Sequence, residues 1–284
     1  MFGSASPRFH PTGSPARNPK RPRSLSGLKI GARIEWKRRV VSTMDEVRDA
    51  LARGAGHGLV IVADEQTAGR GRHERKWLAQ PAGDLLFSLG LRPSKPTLSQ
   101  LSILAGLGVA EAVAPLIPRP VTIKWPNDVR VHGRKLAGVL VETRVMGGSV
   151  EAVVGVGLNV NSDPAEWTEI ANVATSLRRE SGKVFDRREV LDRILDEFDH
   201  LYERLTSGES LVDPWAGRLD TLGAHVAVRR GREVVRGIAE TVDETGRLGV
   251  RLHEGQIAFF DAGEVTLQSP QAQGGAVRPV KEEE

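Results

Sequence analysis

The chain has 284 residues, which is enough for one large domain with a small one, or for two domains of middling size. Apolar residues make up 39% and charged residues 27%, so the chain can bury a sizeable core and is not disordered as a whole. It contains no cysteine, which excludes a disulfide framework, a thiolate metal site and a cysteine nucleophile. No apolar run approaches the roughly 20 residues of a membrane helix. We expect a cytoplasmic protein with no membrane partner.

The net charge of +4 is unevenly distributed along the chain. Residues 1–34 carry seven basic side chains and no acidic one, so the remaining 250 residues have a balance of −3. A basic nucleic-acid-binding body is therefore not indicated. Residues 1–27 contain five prolines and no periodic apolar pattern, which predicts a disordered tail over 1–30, or a basic arm for an anionic surface. A second disordered tail is predicted over 271–284.

Hydrophobic periodicity predicts an α/β (α+β) domain over 31–213, a mixed sheet with flanking helices. Its expected strands are 34–41, 59–64, 85–91, 121–125, 129–131, 136–143 and 150–156. Its expected helices are 42–54, 98–114 and 186–205. The segment 65–84 has neither pattern, and a loop of that length in a compact domain is usually functional or disordered.

The residues after Pro214 have a different texture. Short apolar runs at 224–230, 233–242, 248–252, 256–260 and 265–267 alternate with turn residues. Five short strands in about 45 residues predict a small barrel, here assigned to 214–270.

The most unusual stretch is the Gln-Thr-Ala-Gly-Arg-Gly-Arg run at 66–72, which continues to Trp77. Its glycines allow close approach of the backbone to a ligand, and its arginines concentrate positive charge where an anion could be enclosed. It lacks the Gly-Lys-Ser/Thr ending of a phosphate-binding P-loop. From the residues alone it is either an anion-binding loop or a solvated basic loop.

Three further segments accompany predicted strands. Lys-Trp-Pro-Asn-Asp at 124–128 is either a structural turn or a rigid turn that presents a cation and ligands for a hydroxyl or hydrated Mg²⁺. Lys135 opens a buried strand, as a strand-end charge or as a cation aimed at an anionic group. Gly-Val-Gly-Leu-Asn at 155–159 is a weak dinucleotide signal, because the third glycine of that fingerprint is missing. Its glycines can instead keep a wall clear for a flat ligand.

Together and in this order, the motifs resemble the biotin protein ligase family. That family has a Ser-Thr pair after the first strand, a Gly-Arg-Gly-Arg loop ending near a Trp, Lys-Trp-Pro-Asn-Asp, a Lys-Leu-Ala-Gly strand ending in Glu, and Gly-x-Gly-x-Asn. The corresponding segments here are Ser42-Thr43, 69–77, 124–128, 135–142 and 155–159. The resemblance covers residues 34–267, and the small C-terminal barrel of the family is SH3-like.

The resemblance implies an ATP-dependent ligase that converts biotin and ATP to biotinyl-5′-AMP, with Mg²⁺, and transfers biotin to one lysine of a biotin carboxyl carrier protein. This carrier is a subunit of acetyl-CoA carboxylase or of a related carboxylase. Some relatives also bind DNA through an N-terminal winged helix-turn-helix, but the Pro-rich residues before the first strand are too few for one. We therefore expect no specific DNA partner, and a monomer or a homodimer.

Motif positions imply site roles. The expected biotin-binding residues are Ser42, Thr43, Gln66, Gly69, Arg70, Arg72, Lys135, Gly138 and Gly155. The expected nucleotide-binding residues are Arg72, Arg75, Trp77, Lys124, Asn127, Lys135 and Asn159. The expected catalytic residues are Lys135, Arg70, Arg72, Lys124 and Asp128, with Lys135 as the principal cation. Asp128 is assigned either to Mg²⁺ or to the acceptor lysine, and Trp77 either anchors the loop or stacks on a ligand.

Two positions depart from the family pattern: Glu74 replaces a loop glycine, and Met44 stands where Asn is frequent. Three alternative functions are a lipoate protein ligase, a non-catalytic nucleic-acid-binding module and a ligand-sensing pseudo-enzyme. The motifs at 69–77 and 124–128 and the C-terminal barrel favour biotin over lipoate. The −3 balance and the sparse aromatic residues argue against the nucleic-acid module.

Overall fold

The computed structural model describes residues 29–72, 75–146, 149–261 and 263–267. The predicted tails and Glu74 lie outside these residues, except for the last two positions of the first tail. Of these two, Ile30 is buried, and its backbone N–H donates to Asp199 on a helix. The packed core therefore begins before the predicted domain boundary.

The described residues include twelve strands and six α-helices. The strands are β1 (Arg33–Val40), β2 (Leu59–Gln66), β3 (Leu85–Leu91), β4 (Val121–Lys124), β5 (Asp128–Val131), β6 (Arg134–Met146), β7 (Ser149–Leu158), β8 (His225–Arg230), β9 (Glu233–Val242), β10 (Leu248–Arg251), β11 (Ile257–Phe260) and β12 (Glu264–Leu267). The helices are α1 (Thr43–Ala52), α2 (Lys95–Leu98), α3 (Leu101–Val113), α4 (Leu177–Ser181), α5 (Arg187–Thr206) and α6 (Val212–Ala216).

The first seven strands form one mixed sheet in the order β1-β2-β3-β7-β6-β5-β4. β1 and β2 are parallel, and every other neighbouring pair is antiparallel. This confirms the predicted mixed sheet with flanking helices. β5 pairs with β6 only as far as Asp128 opposite Gly138, whereas β6 continues to Met146 in its pairing with β7.

The main core lies between one face of the sheet and the helices α3 and α5. α3 is apolar nearly all round because the sheet and α5 cover its two sides. α5 carries a single apolar stripe, and its N-cap Asp186 accepts from the N–H of Arg188. On the opposite face of the sheet, α1 packs Met44, Val47 and Leu51 into a smaller cluster.

One predicted helix begins later in the structure than the sequence predicts. The sequence predicts a continuous helix over 98–114, but α2 ends at Leu98 and α3 begins at Leu101. Gln100 between them has a non-helical backbone, and its side-chain oxygen accepts from the N–H of Leu211. This contact with the segment before α6 is invisible to local periodicity.

The last five strands form an antiparallel sheet in the order β11-β10-β9-β8-β12. Within the described residues its two edge strands do not pair with each other, so the SH3-like barrel remains a prediction. The predicted boundary at 213/214 falls inside α6, whose Trp215 belongs to the main core. None of the helices that the structure describes is long and apolar enough to cross a membrane.

The turn between β4 and β5 joins the two sheets. The backbone N–H of Trp125 donates to Thr221 Oγ1 at 2.9 Å, and its indole N–H donates to the carbonyl of Gly246 at 2.9 Å. Trp125 is buried, and its peptide bond to Pro126 is cis. The segment 124–128 is therefore held by the C-terminal sheet as well as by its own strands.

His57 lies in the loop that leads into β2. Its Nδ1 accepts from the backbone N–H of Arg92 at 3.1 Å, and its ring packs on Tyr202 with 5.1 Å between centroids. An Nδ1 that accepts is unprotonated, so the ring is neutral in the native state. Burial lowers the pKa of His57 and the charge of Arg92 lowers it further, whereas Asp199 opposes both effects.

The lowered pKa of His57 predicts a pH-dependent stability. The unfolded chain binds a proton at His57 more readily than the native protein, so the free energy of unfolding should fall as the pH drops below about 6.5. A His57→Asn variant should lose part of this dependence. The measurement is urea unfolding from pH 8 to 5, with His253→Asn, an exposed histidine, as the matched control. Parallel curves for wild type and His57→Asn would contradict the assignment.

Candidate active site

A cleft of about 540 Å³ opens beside the start of α1, over β6 and β7. Its walls also include the loop after β2, the turn between β4 and β5, and the start of β12. The predicted site residues that line it are Ser42, Thr43, Gln66, Arg70, Arg72, Arg75, Trp77, Lys124, Asn127, Asp128, Lys135, Gly138, Gly155 and Asn159. Side chains from segments more than 100 residues apart in sequence thus meet in one cavity.

Gly69 is the one predicted site residue that does not line this cleft. Its carbonyl accepts from the backbone N–H of Trp77 at 3.0 Å, and Arg70 and Lys76 form a β-bridge beside it. A Cβ at Gly69 would lie 3.0 Å from the Gln66 amide nitrogen. Gly69 therefore shapes the base of the loop where its two ends meet.

One end of the cleft is a buried hydrogen-bonded group on α1, β2 and β3. The backbone N–H and the hydroxyl of Thr43 donate to Gln66 Oε1 at 2.7 and 3.0 Å, and Thr43 shares a 2.7 Å hydrogen bond with Ser88. These contacts use the oxygen of the Gln66 amide, which leaves its nitrogen as a donor for a ligand. Ser42 is buried beside them, so this end of the cleft suits a compact polar group.

Trp77 forms the floor of the cleft next to this polar end. A Cβ at Gly157 would overlap its indole ring, and a Cβ at Gly138 would lie 3.0 Å from its Cζ3. The Lys135 ammonium lies 5.3 Å from the centre of the ring. The two glycines therefore let Trp77 rest directly on β6 and β7, and the indole N–H is buried without a partner among the described residues.

Gly155, which lines the cleft, also lies against a side chain of α1. A Cβ there would meet the Met44 side chain at 2.8 Å, so Gly155 accommodates Met44. Met44 is buried, belongs to the small cluster under α1 and also lines the cleft. The Met44 departure from the family pattern therefore affects the wall of the cleft as well as the start of α1.

The cations of the cleft differ in how they are paired. Lys135 Nζ lies 2.6 Å from Asp128 Oδ1. Arg72 makes one long contact of 3.4 Å to Asn127 Oδ1, and burial lowers the pKa of its guanidinium. Burial also lowers the pKa of Lys124, an effect that the charge of Asp128 opposes. Buried positive charge with few partners favours the binding of an anion here.

Two arginines of the loop are held by acidic side chains of other elements. Arg70 makes two hydrogen bonds with the carboxylate of Asp45 on α1, at 2.7 and 2.8 Å, and this contact holds the pKa of Asp45 below its usual range. Arg75 pairs with Glu264 on β12. The loop is thus tied to α1 and to the C-terminal sheet, and Arg70 is directed at Asp45 as well as at the cleft.

The backbone of Lys135 is fixed by an additional segment. Its N–H donates to the carbonyl of Val173 at 2.8 Å, and its carbonyl accepts from Thr175 at 2.9 Å. Asn159 is buried, and its amide nitrogen donates to the carbonyl of Thr175 at 2.8 Å. Asn159 therefore holds the wall that supports Lys135, and it lines the cleft from that position.

Several cleft residues were not identified from the sequence. Arg130, Glu264 and the segment Ile170, Asn172, Val173 and Ala174 line the cavity, and Asp45 holds Arg70. Trp167, which lies close in sequence to these residues, is not among the lining residues. No motif marks these positions, since each reaches the site through a tertiary contact.

The acidic residues of the cleft fit a metal that arrives with a phosphate. The described residues contain no group of three His, Cys, Asp or Glu side chains that could hold a metal ion. Asp128 supplies one carboxylate, of which one oxygen contacts Lys135. Mg²⁺ in phosphate-transfer sites takes one or two carboxylates and completes its shell with phosphate oxygens and water, so a single carboxylate is sufficient.

Comparison with known proteins gives the class to which this fold belongs. Residues 36–159 match the model of the biotin/lipoate A/B protein ligase family, and residues 221–267 match that of the biotin protein ligase C-terminal domain. The chain is 36% identical over 264 residues to the biotin–[acetyl-CoA-carboxylase] ligase of Mycobacterium tuberculosis, covering 88% of this chain and 96% of that relative. It is 37% identical over 211 residues to the enzyme of that name from Paracoccus denitrificans, covering 71% and 87%.

Solved structures agree with the sequence comparison. The biotin protein ligase from Aquifex aeolicus, in complex with biotin and ATP, superimposes with a TM-score of 0.73 at 32% identity, covering 84% of this chain and 99% of that one. The chain belongs to the biotin protein ligase family. The resemblance inferred from the motifs is confirmed.

The contact between Gly157 and Trp77 predicts a sharp effect of one methyl group. In Gly157→Ala the indole must move off β7, and overpacking of this kind costs about 1–3 kcal/mol. Biotin affinity, measured by calorimetry, should weaken by about tenfold or more.

Gly56→Ala is the matched control, because a Cβ at Gly56 meets nothing within 4 Å. Unchanged biotin affinity in Gly157→Ala would show that the packing of Trp77 on Gly157 does not shape the site.

Proposed function

We propose that this protein is an ATP-dependent biotin protein ligase that forms biotinyl-5′-AMP and transfers biotin to a lysine of a biotin carboxyl carrier protein. The observation that carries the proposal is the position of Lys135 between the anion-binding side of the cleft and the Trp77 floor, 2.6 Å from Asp128 and 5.3 Å from the ring. Both family models and the biotin- and ATP-bound neighbour support it.

In the first step a carboxylate oxygen of biotin attacks the α-phosphorus of ATP. The new O–P bond replaces the bond to pyrophosphate, which leaves with the electron pair. Two anions must come together, so the site has to supply positive charge. Lys135, Arg72 and Lys124 supply it from three walls of the cleft.

The ion pair of Lys135 with Asp128 must change when the substrate binds. When an anionic substrate binds, the Lys135 ammonium can exchange the carboxylate of Asp128 for a carboxylate or phosphate oxygen of the substrate. Asp128 is then available to Mg²⁺ or to the incoming acceptor lysine. When bound, Mg²⁺ would neutralise phosphate charge, with Asp128 as its protein ligand.

The vitamin itself fits the polar end and the floor. We assign Ser42, Thr43 and Gln66 to the ureido group, because they form the buried hydrogen-bonding end of the cleft. Trp77, packed on Gly138 and Gly157, would lie against the fused rings of biotin. The nucleotide would then extend towards Asn127 and the Asn159 wall.

The experiment that tests the function compares biotin with lipoate as the substrate. The protein is mixed with ATP and Mg²⁺ and with either biotin or lipoate, and pyrophosphate release is measured. Biotin should drive release and lipoate should not, because the compact polar end of the cleft matches a ureido group. Release with lipoate alone would make the protein a lipoate ligase, and release with neither would remove the ligase function.

Lys135 can be tested separately from vitamin binding. Lys135→Ala should lower biotin-dependent ATP–pyrophosphate exchange by about 100-fold or more, because it removes a charge that opposes developing negative charge. Biotin binding should remain measurable by calorimetry. Lys37→Ala, on β1 and outside the cleft, is the matched control. An exchange rate equal to wild type would remove Lys135 from this role.

A further inference from the structure

A second cavity of about 210 Å³ lies behind the turn between β4 and β5. It is bounded by the start of α3, by β6, by Trp215 of α6 and by two loops of the C-terminal sheet. No step of the proposed reaction described above uses it. For brevity we name it the rear chamber.

The rear chamber is continuous with the active-site cleft. Arg72, Pro126, Asn127, Val139 and Leu140 border both cavities. The connection exists because β5 begins at Asp128, opposite Gly138, so beyond the contact of Val139 with Asn127 no strand pairs with β6 on that side. The rear chamber therefore reaches the reacting end of the cleft next to Asn127, one residue before Asp128.

The walls of the rear chamber suit an alkyl chain that carries a positive charge. Ile103, Pro126, Val139 and Trp215 supply apolar surface along its length. Asp261, an exposed residue after β11, is the acidic residue among those that line it. The volume equals that of about seven water molecules, which is room for the four-carbon stem and ammonium of a lysine.

We propose that the rear chamber is the passage through which the acceptor lysine of the carrier protein reaches the acyl-adenylate. This rests on the proposed ligase function and adds the route of its second substrate. Asp261 attracts the ammonium at the outer end, the apolar walls enclose the stem, and the amine emerges beside Asp128. The adenylate, in the cleft on the other side of Arg72, presents its acyl carbon there.

The transfer step joins the lysine to the acyl group and releases AMP. The lysine ammonium first loses a proton, and the neutral Nζ attacks the acyl carbon of the adenylate. The C–N bond forms as the bond between that carbon and the phosphate oxygen breaks, and AMP leaves with the electron pair. The nitrogen then loses a second proton to give the amide. Asp128, once released from Lys135, lies where it can accept the first proton.

The competing occupant is the pyrophosphate leaving group. A phosphate-binding chamber would need several cations, whereas the residues that line this one include a single cation, Arg72, together with Asp261. The two occupants affect different half-reactions. Pyrophosphate binding acts on adenylate formation, and lysine entry acts only on transfer.

The main test blocks the rear chamber from its outer side. Ser102→Trp places a large ring in the cavity from the first turn of α3, where Ser102 is half-buried. Three rates are measured on the full chain: biotin-dependent ATP–pyrophosphate exchange, reaction of the adenylate with hydroxylamine, and biotinylation of a carrier protein. Hydroxylamine is small enough to enter through the main cleft.

We expect exchange and hydroxylamine reaction in Ser102→Trp within about twofold of wild type, and carrier biotinylation lower by about tenfold or more, since small displacements of a reacting group are costly. Ser102→Ala should transfer normally, and Ser207→Trp on the exposed end of α5 controls for an added tryptophan. Normal carrier labelling in Ser102→Trp would overturn the proposal. An equal loss of exchange and labelling would also overturn it and would assign the chamber to phosphate.

A second variant avoids any effect of bulk on folding. Asp261→Lys should raise the KM for the carrier by about threefold to tenfold at low salt, with a smaller effect at high salt, because an exposed charge is screened. Glu254→Lys, in the exposed turn between β10 and β11, is the matched charge reversal. An identical KM in the two variants would contradict the role of Asp261. Absent exchange in the wild type would instead refute the ligase function itself.

Discussion

The seating of one tryptophan on two glycines determines the form of the active site. Because Gly138 and Gly157 lack a Cβ, the indole of Trp77 lies directly on β6 and β7. The backbone N–H of Trp77 donates to the carbonyl of Gly69 and so joins the two ends of the loop. This contact positions the arginines of the loop over the cleft. Any side chain larger than hydrogen at 157 would lift the ring and the loop end with it. The floor of the cleft and the position of the loop end thus depend on the packing of Trp77 on these two glycines.

The same arrangement explains how so many cations coexist in a cavity. Arg70, Arg75 and Lys135 pair with acidic side chains of α1, β12 and β5, respectively. Arg72 and Lys124 are more buried, and their lowered pKa values reflect that burial. Substrate anions would compete with these acidic partners for the cations. The network that stabilises the empty cleft is therefore the one that substrate binding must rearrange.

The local sequence pattern was sufficient to predict the bounds of some elements. The apolar stripe of α5 and the mostly apolar run of β3 predicted both elements to within a residue or two. Prediction failed where distant residues decide the outcome: Gln100 separates α2 from α3 through its bond to Leu211. β6 extends to Met146 because β7 pairs with it, although Thr143, Arg144 and Val145 near its end are exposed. Sequence alone could not anticipate either contact.

The sequence by itself determined the family, the mixed sheet and fourteen of the residues that line the cleft, because the motifs keep chemically specific residues at a fixed spacing. Only the tertiary structure decided their partners. It turned Arg70 towards Asp45, brought Glu264 to Arg75, and seated Met44 on Gly155. It also opened the rear chamber, since that cavity lies beside the part of β6 beyond the start of β5, where loops of the C-terminal sheet cover it. Such features arise from the meeting of distant segments, which no local pattern records.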